Sequence, residues 1–437
     1  MDSMVDAPQR RRIVAILVGS LIVFAGVSAD LATGGRPDPP ALRAAATLLD
    51  GDWRFRTGDD PHRADVATDD HDWETIDLTA APGSHDGDVG LPDYVGGWMA
   101  RGHPGYRGYA WYRRGVTVPA TAPSWDILGP TLVEDGYALY WNGRLLGGSG
   151  RIDANPRVVG TRPLRFALPD NAAGTRGVLA IRVLMLPTSG SSADGGGVHS
   201  APILAPRPVA AGLHHAQWGR TVAGYIADAV EPMAMVALIV LALVSWSRTP
   251  YRPFLAWACV ALALMASRRL NNAIVAWSDL QPLTTYSWLA SWMWVPALAA
   301  WALAWNRWCA RRWRSVDLAA LALALAAIVA IALHSASAMR DVRLAFIALF
   351  VVIAVRIVRG DAMRLLALAT LLAIVAAYFG GELLDPLGVP GIWFPFGIGV
   401  SRTQYIYAIL IPLLGVLIVR TSSILPANEA NFESTRR

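Results

Sequence analysis

The sequence predicts a mixed membrane protein, in which an all-β jelly-roll domain outside the cytoplasm precedes an all-α bundle of seven transmembrane helices. Hydrophobic residues make up 54% of the 437-residue chain and charged residues 16%, whereas soluble domains carry about 25% charged residues. Seven apolar segments follow one another over residues 222–420. Before them, residues 48–205 consist of short alternating segments separated by turn residues, a pattern typical of a β-sandwich.

The first 29 residues carry an export signal. Three arginines at 10–12 precede an apolar run over residues 13–29, which ends in small residues where a signal peptidase could cut. The run also lies at the short limit for a membrane span, so a cleaved signal peptide and an uncleaved signal anchor are both open. In either case the arginines stay in the cytoplasm and the following chain is exported. Residues 30–47, rich in Gly, Pro and Ala, are predicted to be a linker.

The β domain over residues 48–205 has one especially clear local signal. Residues 137–141 alternate, run into Asn142-Gly143, and leave through residues 144–146. Asn-Gly between two alternating segments is the strongest short-range indication of a β-hairpin. Residues 177–186 form another apolar strand segment.

This domain resembles the galactose-binding-like jelly roll in the order and spacing of its segments. The segments are LLDGDWRFRTGDD, DDHDWETIDL, GYAWYRR, YALYWNGRLLGGSG and GVLAIRVLML. That fold forms the sugar-binding domain of one large group of β-glycosidases and the periplasmic sensor module of bacterial receptors. The resemblance implies a small-molecule ligand, with carbohydrate as a candidate class.

After a predicted linker at 206–221, the membrane domain spans residues 222–420. The expected helices are 222–247, 253–277, 284–306, 316–335, 341–358, 363–380 and 401–420, followed by a short cytoplasmic tail at 421–437.

Arginines in the loops set the orientation. The loops and tail predicted to be cytoplasmic carry Arg248, Arg252, Arg307, Arg311, Arg312, Arg314, Arg356, Arg359, Arg364, Arg420, Arg436 and Arg437. The predicted outer loops carry only Arg340, Arg343 and Arg402. This asymmetry follows the positive-inside rule. It predicts that the β domain lies outside the cytoplasm and the C-terminus inside it. Together with the bacterial sensor module that the β domain resembles, this implies a bacterial inner membrane with a periplasmic β domain.

An exported jelly roll followed by seven helices resembles the bacterial receptors that have seven transmembrane helices and diverse intracellular signalling modules. Such receptors usually continue into a kinase, cyclase or phosphatase domain, whereas here residues 421–437 follow the last helix. The resemblance therefore implies a separate cytoplasmic kinase or cyclase as the signalling partner.

Polar residues inside the helices form the candidate intramembrane cluster: Asp228, Glu231, Arg268, Asn271 and Asn272. At about 1.5 Å per residue, Glu231 and Arg268 lie roughly 24 Å and 22 Å from the cytoplasmic ends of their helices. A charge at this depth is costly unless it is paired or faces water, so we expect these two to pair. The cluster is either a ligand or switching site, or a structural ion pair that locks the first helical hairpin.

Loop aromatics in the β domain are the candidate ligand-binding residues, namely Tyr94, Trp98 and Tyr106. They lie in a Gly-rich segment that cannot pack like a strand. Aromatics at alternating strand positions are assigned to the core. No catalytic motif, metal-ligand spacing or cofactor motif is present in the sequence, so we expect a protein that is not an enzyme.

The leading hypothesis is a receptor-like membrane sensor that binds a small extracytoplasmic ligand. The alternative is a membrane component of envelope glycan processing or transport, with the β domain as an accessory carbohydrate-binding module. A receptor remnant or scaffold is a third possibility. Nucleic acid is not an expected partner, because many of the arginines behind the net charge of +5 lie at helix ends, where membrane topology explains them.

Overall fold

The structure is a computed structural model. It describes residues 38–86, 92–153, 156–157, 162–186, 194–278, 283–309, 311–333, 335–359, 363–387, 389 and 401–422. The predicted export signal and all but the first two residues of the predicted tail lie outside this part of the chain.

In this part, ten strands form two antiparallel sheets. The strands are β1 (Thr47–Leu48), β2 (Asp52–Thr57), β3 (Glu74–Asp77), β4 (Gly108–Thr117), β5 (Trp125–Leu128), β6 (Gly136–Trp141), β7 (Arg144–Ser149), β8 (Arg165–Ala167), β9 (Arg176–Met185) and β10 (Ile203–Pro206). One sheet has the order β1-β10-β5-β8, and the other has the order β3-β2-β4-β9-β6-β7.

The two sheets share one apolar core. Phe55, Tyr112 and Ile181 of the six-stranded sheet belong to the same buried cluster as Ile127 and Leu204 of the four-stranded sheet. Since successive side chains of a strand point to opposite faces, the alternation in the sequence supplies one buried face for each sheet. The predicted β-sandwich is thus confirmed.

The Asn-Gly hairpin forms as predicted. Asn142 and Gly143 both have positive φ, at 50° and 80°, which is the conformation that a two-residue type I′ turn needs. Trp141 therefore pairs with Arg144, and β6 pairs antiparallel with β7.

The rest of the described chain is helical apart from its connections. The helices are α1 (Pro40–Ala44), α2 (Arg207–Ser245), α3 (Arg252–Trp277), α4 (Leu283–Trp292), α5 (Trp294–Trp308), α6 (Arg314–Ala332), α7 (Ala336–Val358), α8 (Arg364–Leu384) and α9 (Arg402–Thr421).

Neither predicted linker is structured as expected. The segment at 206–221 is helical from Arg207 onward, because Pro208 fits the first turn of a helix, where no N–H bond is lost. Within residues 30–47, the described part contains helix α1 and the start of β1. Leu42 of α1 packs beside Gly212 of α2.

Within the part of the chain that the structure describes, five helices are long and apolar enough to cross a membrane: α2, α3, α6, α8 and α9. The expected helix at 284–306 is divided into α4 and α5, and Pro296 near the break lacks an N–H and crowds the preceding turn. Helix α7 has 23 residues, but charged residues flank its apolar centre on both sides. Five of the seven predicted spans therefore correspond to helices with the length and hydropathy of a membrane crossing.

The helices close into a bundle. Along the chain, α2 packs on α3, α3 on α5, and each of α5 to α8 on its successor, while α9 packs back on α2. The bundle core contains Trp301, Trp305, Phe346 and Phe350.

Candidate functional site

Strand β10 passes into helix α2 without a break, and this junction is fixed by charge. The Arg207 guanidinium lies 3.1 Å from the Asp126 carboxylate of β5, and the Arg207 N–H donates to the Ser124 carbonyl at 3.1 Å. The first turns of α2 also pack on the sandwich through Ala210 and Leu213, which are buried against residues of β5 and β10. The beginning of α2 is therefore held by the β domain.

A second contact joins the sandwich to the end of α3. Both Nε and Nη2 of Arg162 donate to the Ala276 carbonyl, at 3.0 and 2.5 Å. Beside this contact, Leu132 of the sandwich packs in one small cluster with Trp218, Tyr225 and Ala276. The sandwich thus contacts both helices of the first hairpin.

Below this interface lies a buried ion triad, defined by Asp228, Glu231 and Arg269. Arg269 Nε is 2.5 Å from Glu231 Oε2, and Arg269 also pairs with Asp228. The Arg269 guanidinium lies 5.7 Å from the centre of the Tyr407 ring of α9, and Gln404 of α9 donates a hydrogen bond to Asp228. Three helices, α2, α3 and α9, therefore meet at two carboxylates that share one guanidinium.

The predicted partner of Glu231 was wrong by one residue. The structure pairs it with Arg269, which is 8% exposed, while Arg268 is only partly buried. The number of residues from the cytoplasmic end of the helix identified the correct turn of α3. Neighbouring residues point about 100° apart around a helix, however, and depth alone does not say which of two adjacent arginines faces α2.

The two predicted asparagines differ in environment. Asn271 is buried and donates to the Tyr286 carbonyl of α4 at 3.2 Å, so it links α3 to α4. Asn272 is partly buried.

Tyr94 is a predicted ligand-binding aromatic that keeps part of its surface accessible on the sandwich. It is partly buried, its hydroxyl donates to Asp194 at 3.0 Å, and its ring stacks on His199 at 5.1 Å. Burial, assisted by Asp194, raises the pKa of the Tyr94 hydroxyl well above its usual value. Tyr94 is therefore a neutral hydrogen-bonding and stacking group.

Trp98 is a core residue, contrary to the loop position that its sequence context predicted. It is 0% exposed. Its backbone N–H donates to the Gly196 carbonyl at 2.9 Å, and its indole N–H donates to the Tyr106 carbonyl at 3.1 Å. A Cβ on Gly196 would lie 2.2 Å from Trp98 Nε1. The two Gly-rich segments interlock around the indole, so its face is closed to a ligand.

Tyr106 holds the structure of its own loop. Its hydroxyl donates to the Tyr109 carbonyl at 2.6 Å and accepts from the Gly58 N–H at 3.0 Å. Its ring packs edge-on against Trp98. Of the three predicted aromatics, the structure brings Trp98 and Tyr106 together and places Tyr94 elsewhere, on His199.

Glu134 completes the cluster beneath Tyr94. Its carboxylate lies 3.4 Å from His199 Nε2 and accepts from the Gly196 N–H at 3.3 Å. Burial acts to raise the pKa of Glu134, but the hydrogen bond and charge of His199, with the Gly196 N–H, prevail and lower it. The sequence showed His199 as one of several scattered histidines and contained no signal for this pairing.

The outer face of the six-stranded sheet carries a polar cavity of about 310 Å³. It is lined by Asp52, Trp53, Arg54, Asp70, Thr75, Arg113, Arg114 and Gly115. Arg113 is 1% exposed. It binds Asp70 at 2.9 Å and the carbonyls of Asp65 and Thr68 at 2.9 and 3.4 Å, so it fixes the covering loop to the sheet. Sequence reasoning did not single out this cavity, because its members come from distant segments.

At the far end of the bundle, arginines gather around one carboxylate. Asp317 of α6 pairs with Arg307 of α5 at 3.1 Å and with Arg312 at 2.6 Å. Arg356 of α7 lies 4.2 Å from the centre of the Trp313 ring. These contacts join α5, α6 and α7 at the end away from the sandwich.

Comparison with known proteins leaves the family open. No family model matches the chain, and no curated protein matches it. Among solved structures, the chain is similar to β-glucuronidase 2 of Bacteroides uniformis, with 24% identity and a TM-score of 0.28 over 36% of this chain and 17% of that one. It is also similar to a glycosyl hydrolase family 2 member from Bacteroides cellulosilyticus, with 18% identity and a TM-score of 0.26 over 37% and 20%. The chain spans less than a quarter of the length of these enzymes.

Proposed function

We propose that the chain is a receptor-like protein of a bacterial inner membrane. Its β-sandwich binds a small extracytoplasmic ligand, and its helical bundle passes the resulting change to a separate cytoplasmic signalling protein. The observation that carries this proposal is the docking of the sandwich on both helices of the first hairpin, directly above the buried ion triad.

The continuous junction supports a mechanical role for α2. Strand β10 is held between β1 and β5, and its next residue starts the helix. A displacement of β10 would move the start of α2, because Arg207 directly follows Pro206 of β10, and the contact of Arg207 with Asp126 ties the same point to β5. A helix transmits such a displacement along its axis better than a flexible linker, which would absorb it.

A second route runs through Tyr94, His199 and Glu134, which together form the Tyr94 cluster. His199, on which Tyr94 stacks, donates its backbone N–H to the Leu132 carbonyl at 3.0 Å. Leu132 packs with Tyr225, whose carbonyl accepts from the Trp277 indole at 3.2 Å. Asp228 of the triad lies one turn below Tyr225 on α2. A ligand that changed the position of Tyr94 would therefore act on residues in direct contact with the hairpin.

The triad is suited to switching because it joins three helices through a small number of strong contacts. Two carboxylates share one guanidinium, and α9 contributes Gln404 and Tyr407 to the same place. A small rotation of α2 would release one carboxylate from Arg269 while the other stays bound. Allosteric transitions commonly use such elements with two discrete arrangements.

The loop arginines support the proposed orientation and seven crossings. In this arrangement α4 and α5 form one broken crossing and α7 forms another, with its charges near the two membrane surfaces. The cluster around Asp317 then lies on the cytoplasmic side, where Arg312 is more than half exposed and can contact an acidic surface of a partner.

Hydrogen exchange on the full chain in lipid nanodiscs tests the relay. We expect a compound from a library of polar metabolites and sugars to slow exchange in the sandwich and to change exchange in the segment between α5 and α6. If every compound that binds changes exchange in the sandwich alone, or if none binds, the receptor proposal is wrong.

The buried carboxylate pair favours a second candidate, a transport component of the envelope. Carboxylates inside a membrane domain often mark ion or proton pathways. Uptake of labelled sugars into proteoliposomes, abolished by Glu231→Gln, would support transport over signalling.

A further inference from the structure

We infer that the polar cavity on the outer face of the six-stranded sheet is a binding site for a small hydroxylated carboxylate, the class to which sugar acids belong. This inference rests on the proposed ligand-binding role of the sandwich and names its site and ligand class. The site is distinct from the Tyr94 cluster.

The register of three strands builds the cavity wall. Thr75 of β3 stands opposite Arg54 of β2, and Arg54 stands opposite Arg113 of β4. Their side chains therefore form one row across the same face of the sheet. Two residues further along, Asp52 and Gly115 occupy the next row on that face. Because Gly115 has no side chain, this row contains a gap between Asp52 and the neighbouring strand.

The gap above Gly115 exists because glycine has no side chain, and the backbone conformation there does not require glycine. Gly115 does not have the positive φ of several other glycines, so other residues can adopt its conformation. A Cβ there would lie 3.1 Å from Nη2 of Arg176, the movable end of an exposed side chain. A larger residue at 115 would fill the cavity while leaving the strand pairing intact.

The charges of the wall select the ligand class. Arg54 and Arg113 stand on this face with two carboxylates, from Asp52 and Asp70, whereas Arg114 falls on the alternate face of β4. Because the charge of Arg113 is matched by Asp70, Arg54 is the cation that an anionic ligand can meet, and a guanidinium group matches the geometry of a carboxylate. The two aspartates and the Thr75 hydroxyl add acceptors for ligand hydroxyl groups.

Arg54 is the residue most available to the ligand carboxylate. Arg113 already binds Asp70 and several carbonyls, and Arg114 binds the Asp50 carbonyl. The hydrogen bonds that Arg54 makes in the described chain, to the Trp73 carbonyl at 3.3 Å and the Thr75 hydroxyl at 3.4 Å, both use Nη1. Its Nε and Nη2 are therefore the donors that can form a fork with a carboxylate.

Isothermal titration of the full chain in nanodiscs tests this site with D-glucuronate and D-galacturonate as probes, against D-glucose and D-galactose. We expect one of the two acids to bind, with an affinity at least about tenfold above that of its neutral counterpart, since a charge-assisted pair contributes on that order. Arg54→Gln and Gly115→Leu should each weaken binding about tenfold or more.

Arg56→Gln is the matched control, because Arg56 lies on the same strand and face as Arg54 but outside the cavity. It should change affinity by less than about twofold. Failure of both acids to bind the unaltered chain, or equal binding by Arg54→Gln, would overturn the inference. If a different compound binds and still changes exchange between α5 and α6, this inference fails while the proposed relay stands.

Discussion

Glu231 of α2 and Arg269 of α3 lie with Oε2 and Nε 2.5 Å apart, beneath the surface on which the β-sandwich rests. Asp228 joins the same guanidinium. The first helical hairpin is therefore held by a charge contact between buried side chains, where an unpaired charge is costly.

Arg269→Gln should strongly destabilise the bundle, because it leaves two buried carboxylates without their cation. Breaking a buried pair from one side typically costs about 3–5 kcal/mol. The adjacent Arg268→Gln is the matched control and should cost less than about 1 kcal/mol, as expected for a charge outside the pair. Thermal unfolding in detergent measures both, and equal losses would show that the triad does not hold the hairpin.

Trp98→Ala should destabilise the sandwich by about 3–5 kcal/mol, the usual cost of removing a fully buried large aromatic. Tyr94→Ala removes a partly buried ring and one hydrogen bond, and should cost about 1–2 kcal/mol. Denaturation followed by the near-ultraviolet signal of the sandwich distinguishes the two. A small effect of Trp98→Ala would contradict its place in the core.

Gly196→Ala should also destabilise the sandwich. Gly196 has φ of 86°, and a Cβ would lie 2.2 Å from Trp98 Nε1, so backbone strain and steric overlap add to about 2 kcal/mol or more. Gly219→Ala in α2 is the control, because nothing lies within 4 Å of its added Cβ. Alanine there should stabilise the helix by about 0.5–1 kcal/mol, and melting temperatures should shift in opposite directions.

Acid should weaken the sandwich through Glu134. The folded state lowers the pKa of this carboxyl below its usual 4.5. Its stabilising contribution is therefore complete above that value and is lost as the pH falls through the lower folded pKa. Glu134→Gln should be less stable near neutral pH and should lose less stability between about pH 5 and pH 3. Identical pH profiles for the two proteins would rule out this role.

Local signals in the sequence predicted local structure well. Asn142-Gly143 specified its turn because the conformation depends on those two residues. The alternation along β2 specified which of its residues enter the core. Hydropathy located the helices but did not place the start of α2, because the prolines that suggested a linker are also compatible with a first helical turn.

Features that depend on distant partners could not be predicted in this way. Trp98 is buried because a Gly-rich segment almost a hundred residues later closes over it. Counting residues along α3 found the depth of the charge pair, but choosing Arg269 over Arg268 requires the rotation of the helix. The polar cavity needs the register of β2, β3 and β4, which only the folded sheet supplies.

In the proposed relay, the sandwich is joined to the helical bundle rigidly enough to pass a displacement on to it. Spin labels at positions 144 on the β6-β7 hairpin and 359 at the end of α7, in a chain with Cys259 and Cys309 replaced by alanine, measure this directly by double electron–electron resonance. We expect a single narrow distance distribution that broadens in Arg162→Ala, which removes the hydrogen bonds of the sandwich to the Ala276 carbonyl of α3. A broad distribution in the unaltered chain would contradict the proposed relay.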